Sequence, residues 1–417
     1  MPKDDVTNTV KKELENIFII QPIIQENYRI LHEEAIALIE SASGAYAGTA
    51  YQNIREINPA TYIGTGKLAE IKEMLSGLNN VTVLFNGELS PSQTINISKL
   101  LDNRKVIDRT TLILDIFAKN AVSGEGKIQV ELAQLKYIYP RLKGEGSGLS
   151  RLGGGIGTRG PGETQLESDR RLIRQRIKFL NGKISEINRR CALQTNRRKK
   201  NQAKVIALVG YTNTGKSTLM NLLTNAGVYV QNQLFATLDA TARTFKVDDV
   251  RFILIDTVGF LQDLPHHLID AFRSTLEIAI DCDLALIVCD ATGEFNIQLK
   301  TTLNTLNSLG FNSPYLVVMN KCDNPVNKSL LPPDSICISA KTGVGVEQLK
   351  KKILDCFSDD FRYAELFVPY DQLSEYNKIK QYITEKKTEY TDEGLKISVI
   401  ISGAYYEKCK PFLYSDK

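Results

Sequence analysis

The stretch VIALVGYTNTGKS, residues 205–217, decides the fold of the chain. VIALV is an apolar run of strand length, and GYTNTGKS matches GxxxxGK[ST], the phosphate-binding loop (P-loop) that joins a buried strand to a helix. Glycines at 210 and 215 let backbone amides turn toward phosphate. Lys216 is placed to reach the β- and γ-phosphates, and the Ser217 hydroxyl to bind Mg²⁺. The predicted nucleotide-binding residues here are Gly210, Tyr211, Thr212, Asn213, Thr214, Gly215, Lys216 and Ser217.

Three more polar motifs follow, each at the end of a strand-length apolar run: DTVG (256–259), NKCD (320–323) and SAK (339–341). Asp256 can hold Mg²⁺ through water, and the Gly259 amide can meet the γ-phosphate. The Asp323 carboxylate can accept two N–H bonds that guanine presents and adenine lacks. Four such motifs in this order predict GTP and Mg²⁺ binding. The added residues are Asp256, Thr257, Val258, Gly259, Asn320, Lys321, Cys322, Asp323, Ser339, Ala340 and Lys341.

A switch segment is expected between the P-loop and DTVG, because a GTPase needs a hydroxyl for Mg²⁺ that is ordered only by triphosphate. FATLD (235–239) supplies it, with Thr237 as the predicted metal ligand and Thr241 as the alternative. The predicted switch residues are Phe235, Ala236, Thr237, Leu238 and Asp239.

The water-positioning glutamine that often follows DxxG is absent, because that position is Phe260. Gln262 stands two residues later, and Arg243 and Arg273 are interpreted as structural rather than as arginine fingers. The catalytic group therefore stays unassigned. We expect slow intrinsic hydrolysis that a partner accelerates by completing the site.

The hydrophobic pattern predicts an α/β chain in four parts. A P-loop GTPase domain with a doubly wound, mostly parallel sheet (201–360) is preceded by a small α/β domain (1–140) and by a glycine-rich loop with a basic helical hairpin (141–200). A small C-terminal domain (361–417) is predicted to hold one helix, 371–387, and one strand, 395–402.

The predicted hairpin carries the net excess of positive charge. Residues 141–200 contain sixteen Lys or Arg against five Asp or Glu, although the whole chain is only +4. Apolar residues at 173, 177, 180, 184, 187 and 191 step by fours and threes, which is the seam of two packed helices. The arginines between them predict either a solvated helix face or a surface that meets nucleic-acid phosphate.

Composition excludes several classes of protein. Hydrophobic residues at 42% and charged residues at 24% are ordinary for a globular chain, and the longest apolar runs are far too short to span a membrane. Seven cysteines without a CxxC pair predict reduced thiols, and three histidines make a histidine-rich metal site improbable. We expect a cytoplasmic monomer with no membrane partner.

Together these motifs resemble the HflX family of translation-associated GTPases, over nearly the whole chain. The resemblance rests on GYTNTGKS, FATLD, DTVGF (256–260), LPHHLIDAF (264–272), YIGTGKLAEI (62–71) and GGGIGTRGPGETQLESDRR (153–171). It implies Mg²⁺ ligation by Ser217 and Thr237, and it agrees with an apolar residue at 260. It also implies binding to the large (50S) ribosomal subunit and splitting or rescue of stalled ribosomes. The contacts with ribosomal RNA would lie in the region of Arg159, Arg170, Arg171 and Arg174.

Other interpretations stay open. GTGK (64–67) resembles part of a P-loop but lacks the upstream glycine, so a helix-opening turn is favoured over a second nucleotide site, for ATP or otherwise. The alternative function is a nucleotide-reporting scaffold GTPase that acts on another RNA or protein. A third, a membrane-associated or cell-division regulator, lacks any amphipathic or lipidation signal.

Overall fold

The computed structural model divides the chain into two compact units. The first takes Met1–Glu186 with Asn232–Leu238 and Gln262–Phe272, and the second takes Ile187–Gln231, Asp239–Leu261 and Arg273–Lys417. The structure describes residues 14–24, 27–78, 80–149, 161–200, 204–224, 234–235, 241–248, 250–262, 265, 268, 280–326, 330–358, 360–380, 383–402 and 405–414.

The first unit is built on a four-stranded parallel sheet in the order β2-β1-β3-β4. Its strands are β1 (Glu15–Ile23), β2 (Gly44–Asn53), β3 (Val81–Phe85) and β4 (Val106–Asp108). The helices are α1 (Tyr28–Ser41), α2 (Thr65–Met74), α3 (Pro91–Leu100) and α4 (Arg109–Asn120). This confirms the small α/β domain; β2, rich in glycine and alanine, is a strand that the hydrophobic pattern does not reveal.

Two long helices follow, α5 (Gly124–Leu149) and α6 (Pro161–Lys200). On α6 the seam behaves as predicted: Leu180 is buried and Ile173, Ile177 and Ile184 are half-buried, while most of the residues between them are exposed. A bidentate pair joins the helices, because Arg176 donates to both carboxylate oxygens of Glu131 at 2.6 and 2.9 Å. Residues 144–149, which were predicted to belong to the glycine-rich loop, instead continue the backbone of α5 as helix.

The second unit contains the predicted doubly wound sheet, in the order β10-β9-β8-β5-β7-β6. Its parallel strands are β5 (Lys204–Gly210), β7 (Val250–Asp256), β8 (Leu284–Asp290), β9 (Tyr315–Asn320) and β10 (Ile336–Cys337). The antiparallel edge strand β6 (Thr241–Val247) was not predicted. Helices α7 (Lys216–Thr224), α8 (Phe295–Ser308) and α9 (Val346–Cys356) cover the sheet. Every parallel strand ends at the same edge, which collects the four motifs there.

The C-terminal segment corrects one prediction. It is a three-stranded antiparallel sheet, ordered β11-β13-β12, with β11 (Phe361–Pro369), β12 (Ile383–Tyr390), β13 (Gly394–Ser402) and the short helices α10 (Leu373–Ile379) and α11 (Tyr406–Cys409). The helix predicted over 371–387 was wrong beyond residue 379. A turn in which Thr391 and Gly394 share hydrogen bonds pairs β12 with β13, and this pairing overrides the helical preference of the Glu and Lys residues. Within the described residues, no helix has the length and apolarity needed to cross a membrane.

Candidate functional site

Two glycines shape the loop between β5 and α7. Gly210 has φ of +147°, and a Cβ there would lie 2.3 Å from the Val288 carbonyl oxygen on β8. Gly215 has φ of +91°, and its Cβ would lie 2.3 Å from the Asn320 side-chain amide. Only glycine fits both the backbone angles and the space at these positions. The P-loop prediction from the sequence thus has a direct steric basis.

The loop curls around the side chain of Lys216. Its ammonium donates to the backbone oxygens of Gly210 at 3.1 Å and Tyr211 at 2.6 Å, and the residue is 6% exposed. Burial lowers the pKa of Lys216 to about 8, because removal from water disfavours the charged form. The loop therefore encloses a cation. The two backbone carbonyls accept its hydrogen bonds but carry no net charge, so a bound anion could still neutralise it.

Two oxygen groups meet beside this lysine. The Ser217 hydroxyl, at the start of α7, donates to the Asp256 carboxylate at 2.6 Å. The parallel register of β5 and β7 brings them together by pairing Leu208 with Asp256. A hydroxyl and a carboxylate in contact form the hard oxygen donor set that Mg²⁺ prefers, so these residues fit the ion.

Asn320, at the end of β9, links three of the four motifs. Its side-chain amide donates to the Thr214 carbonyl at 2.7 Å, and its side-chain oxygen accepts from the Ala340 amide at 2.8 Å. The residue is 3% exposed, so both bonds are shielded from water. One buried side chain therefore fixes the distance between the P-loop, NKCD and SAK.

The residues after Asn320 form a polar rim. Asp323 is exposed, and hydrogen bonding from the Ser339 side chain holds the pKa of its carboxyl below the usual value. The Cys322 thiol donates to the Met319 carbonyl at 3.2 Å. Lys341 is exposed near Asp323 and lowers the same pKa through its charge. The Asp323 carboxylate is therefore ionised and exposed, as it must be to accept hydrogen bonds from the two N–H groups of a guanine base.

The segment after Asp256 is joined to the P-loop by backbone pairing that sequence reasoning missed. The Phe260 amide donates to the Gly210 carbonyl at 3.0 Å, and the Thr212 amide donates to the Phe260 carbonyl at 2.8 Å. Phe260 is fully buried, and a Cβ on Gly259 would lie 3.0 Å from the Lys216 ammonium. Thr257 donates to the Leu208 carbonyl at 2.8 Å and Val258 is buried. Gly259 therefore lies beside Lys216, the predicted phosphate-binding lysine.

Phe235, one of the predicted switch residues, belongs to the first unit. Its ring packs edge-on against Phe117 at 4.4 Å, and its carbonyl accepts from the Asn120 side chain at 2.9 Å. Gln262 also belongs to the first unit, where its carbonyl accepts from Arg109 at 3.4 Å. The alternative metal ligand Thr241 instead bonds the Met220 sulfur at 3.4 Å.

Several predicted residues lie outside the described part of the chain. They are Ala236, Thr237, Leu238 and Asp239 of the switch, Arg273, and Arg159 with the rest of 150–160.

The predicted RNA-contacting arginines that the structure describes lie on α6. Arg174 donates to the Tyr139 hydroxyl at 2.6 and 3.1 Å, and the Arg170 guanidinium lies 5.9 Å from the Tyr139 ring centre. Arg171 is exposed. A half-buried aromatic ring flanked by guanidinium groups is a surface that suits phosphate and base contacts.

Three family models match successive parts of the chain. Residues 205–321 match a family model described as 50S ribosome-binding GTPase, and residues 31–118 and 120–198 match models described as the N-terminal and middle regions of a GTP-binding GTPase. A GTP-binding protein of Sulfolobus solfataricus, solved in complex with GDP, is 27% identical, with a TM-score of 0.43, covering 83% of this chain and 99% of that one.

Curated relatives extend over nearly the full length. The GTPase HflX of Caldanaerobacter subterraneus is 43% identical over 403 residues, covering 95% of this chain and 92% of the relative. The GTPase HflX of Escherichia coli K12 is 41% identical over 329 residues, covering 75% of each chain. With the P-loop, DTVG, NKCD and SAK motifs gathered at one sheet edge, the chain belongs to the HflX family of GTPases, which bind and hydrolyse GTP.

Proposed function

We propose that this GTPase is a nucleotide-controlled switch on the 50S ribosomal subunit, and that in its GTP form it splits or rescues stalled ribosomes. The proposal depends on the presence of two features in one chain. One is the proposed guanine-nucleotide site around Asn320, and the other is the pair of helices on which Arg170 and Arg174 flank the Tyr139 ring. The family model for 50S-binding GTPases supports the same partner. We further propose that the protein acts as a cytoplasmic monomer.

We assign the nucleotide as follows. Amides of the P-loop and the Lys216 ammonium hold the phosphates, and Asp323 with Lys321 and the SAK backbone holds guanine. Ser217 and Thr237 would hold Mg²⁺, with Asp256 acting through water, and the ion would neutralise phosphate charge. In support, Ser217 and Asp256 already lie in contact, and Asn320 fixes the spacing between the phosphate and base ends.

Hydrolysis needs a group that positions water, and Phe260 has no polar atom to offer. Its ring is buried, and its backbone amide and carbonyl are already hydrogen-bonded to the P-loop, so residue 260 offers no free polar group to a water molecule. We therefore propose that the ribosome supplies or orders the missing group, and that turnover by the isolated protein is slow.

Co-sedimentation with 50S subunits tests the partner. The protein should pellet with subunits in the presence of a non-hydrolysable GTP analogue and much less with GDP. Neutralising Arg170, Arg171 and Arg174 to Gln should abolish pelleting, and rising salt should weaken it, because phosphate contacts release counterions. A control variant neutralises Lys351 and Lys352, which are exposed on α9, and should pellet as the parent protein does. Equal weak binding in both nucleotide states would instead favour the scaffold interpretation.

Light scattering of intact ribosomes tests the action. Splitting predicts a fall in scattering after addition of protein with the GTP analogue, and no fall with the triple Arg→Gln variant. Tight 50S binding without any fall would contradict splitting while leaving the ribosomal partner intact.

Nucleotide binding should be linked to a proton on Lys216. In the free protein its pKa is about 8, and bound phosphate favours the charged form, so the pKa rises in the complex. Well below pH 8 the lysine is charged in both states and almost no proton is exchanged. Above pH 8 binding must take up a proton, so the Kd for GDP should rise by up to about tenfold per pH unit.

Calorimetry in two buffers of different ionisation enthalpy measures this uptake. At pH 9 the apparent binding enthalpies in the two buffers should differ by nearly the difference between the ionisation enthalpies of the buffers, which corresponds to uptake of one proton. At pH 7 the two binding enthalpies should differ much less. Identical enthalpies in both buffers at pH 9 would contradict a neutral Lys216 in the free protein.

A further inference from the structure

Lys321 of NKCD occupies a conformation that its surroundings impose. Its φ is +66°, a left-handed backbone angle that few residues other than glycine adopt. Neighbouring bonds hold it there: the Ala291 amide donates to Asn320 at 2.9 Å, and the Cys322 amide donates to Ile338 at 3.0 Å. Such angles persist where surrounding structure fixes them, and they concentrate at functional sites.

The side chain of Lys321 is also fixed, by a residue outside all four motifs. Its ammonium lies 2.5 Å from a carboxylate oxygen of Asp290, the last residue of β8. The register of the sheet makes this pair possible, because Asp290 lies directly beside Asn320 across β8 and β9. The Asp290 side chain is only 16% exposed, so solvent screens the pair less than an ordinary surface ion pair.

Asp290 is itself held in place from the other side. Its second carboxylate oxygen accepts from the Thr292 amide at 3.0 Å and from the Thr292 hydroxyl at 2.7 Å. Its own amide donates to the Gln298 side chain at 2.9 Å. The carboxylate is therefore oriented by its own turn, whether or not Lys321 is present.

We propose that Asp290 is a positioning residue for guanine recognition, acting through Lys321. A free lysine side chain has many rotamers, and ordering it costs entropy when ligand binds. Asp290 anchors the ammonium and so holds the apolar stem of Lys321 at the edge of the base site before nucleotide arrives. This rests on the proposed placement of guanine beside Lys321 and Asp323.

A double-mutant cycle on the release of a fluorescent (mant) GDP tests the proposal. Asp290→Asn keeps the shape and the acceptor for Thr292 but removes the charge; Lys321→Met keeps the unbranched stem but removes the ammonium. Asp290→Asn should speed release about tenfold in the parent protein and less than twofold in the Lys321→Met background. Equal acceleration in both backgrounds, or none in the parent, would overturn the role of Asp290.

A matched control separates positioning from stability. Asp283→Asn makes the same change just before the opposite end of β8, where Asp283 accepts from the Val205 amide at 2.7 Å. It should lower the thermal unfolding temperature without changing release of the fluorescent GDP. Failure of the parent protein to bind the fluorescent GDP would refute the proposed site itself. Normal binding, with the effects of Asp290→Asn and Lys321→Met on release simply adding in the double variant, would refute only the role of Asp290.

Discussion

Substituting Asp323 by Asn is expected to weaken GDP binding by at least about a hundredfold and to favour xanthine over guanine nucleotides. The exposed Asp323 carboxylate offers two acceptor oxygens, and its lowered pKa keeps it ionised at neutral pH. Asparagine replaces one acceptor by a donor, which opposes the guanine amine but matches the carbonyl that xanthine carries at the same position.

Competition binding with GDP and XDP measures this change. Asp371→Asn, in the C-terminal sheet region, is the control and should leave both affinities unchanged. Retention of full GDP affinity by Asp323→Asn would show that the base is read elsewhere.

Asn320→Ala is expected to abolish measurable nucleotide binding and to lower the free energy of unfolding by about 3 kcal/mol. The substitution leaves the Thr214 carbonyl and the Ala340 amide without the partner that Asn320 provides in a site closed to water. It also opens space beside Gly215, whose missing Cβ is what accommodates Asn320.

Urea unfolding and GDP titration together check both effects. Asn304→Ala, on an exposed position of α8, should change the free energy of unfolding by less than about 0.5 kcal/mol and leave binding intact. A variant at 320 that loses binding at full stability would assign Asn320 to the ligand alone, and would contradict its role as a structural link.

The parts of the fold that sequence predicts are those where burial leaves a plain signal. Runs such as VIALV and LALIVC become central parallel strands because both faces of such strands are buried. The strands β2, β6 and β12 lie at sheet edges and carry small or charged residues, so no apolar run marks them. Pairing across the sheet creates them, and a linear pattern does not contain that pairing.

The same division applies to the site. The motifs name the residues at each strand end, because phosphate and guanine chemistry restrict which residue types can serve there. Contacts that depend on register were not predictable: the ion pair of Lys321 with Asp290 and the backbone pairing of Phe260 with Gly210 and Thr212. Neither follows from residue type or spacing, since each needs two strands aligned to within one residue.

The burial of Phe260 also limits how this enzyme can evolve. The Phe260 ring is enclosed by protein, and both the amide and the carbonyl of Phe260 are hydrogen-bonded to the P-loop. The position therefore has no room for a solvated side chain. A mutation that placed glutamine there would bury an amide instead of presenting it to water. A single substitution at position 260 therefore does not supply a solvent-facing amide, and the proposed dependence on the ribosome would persist in such a variant.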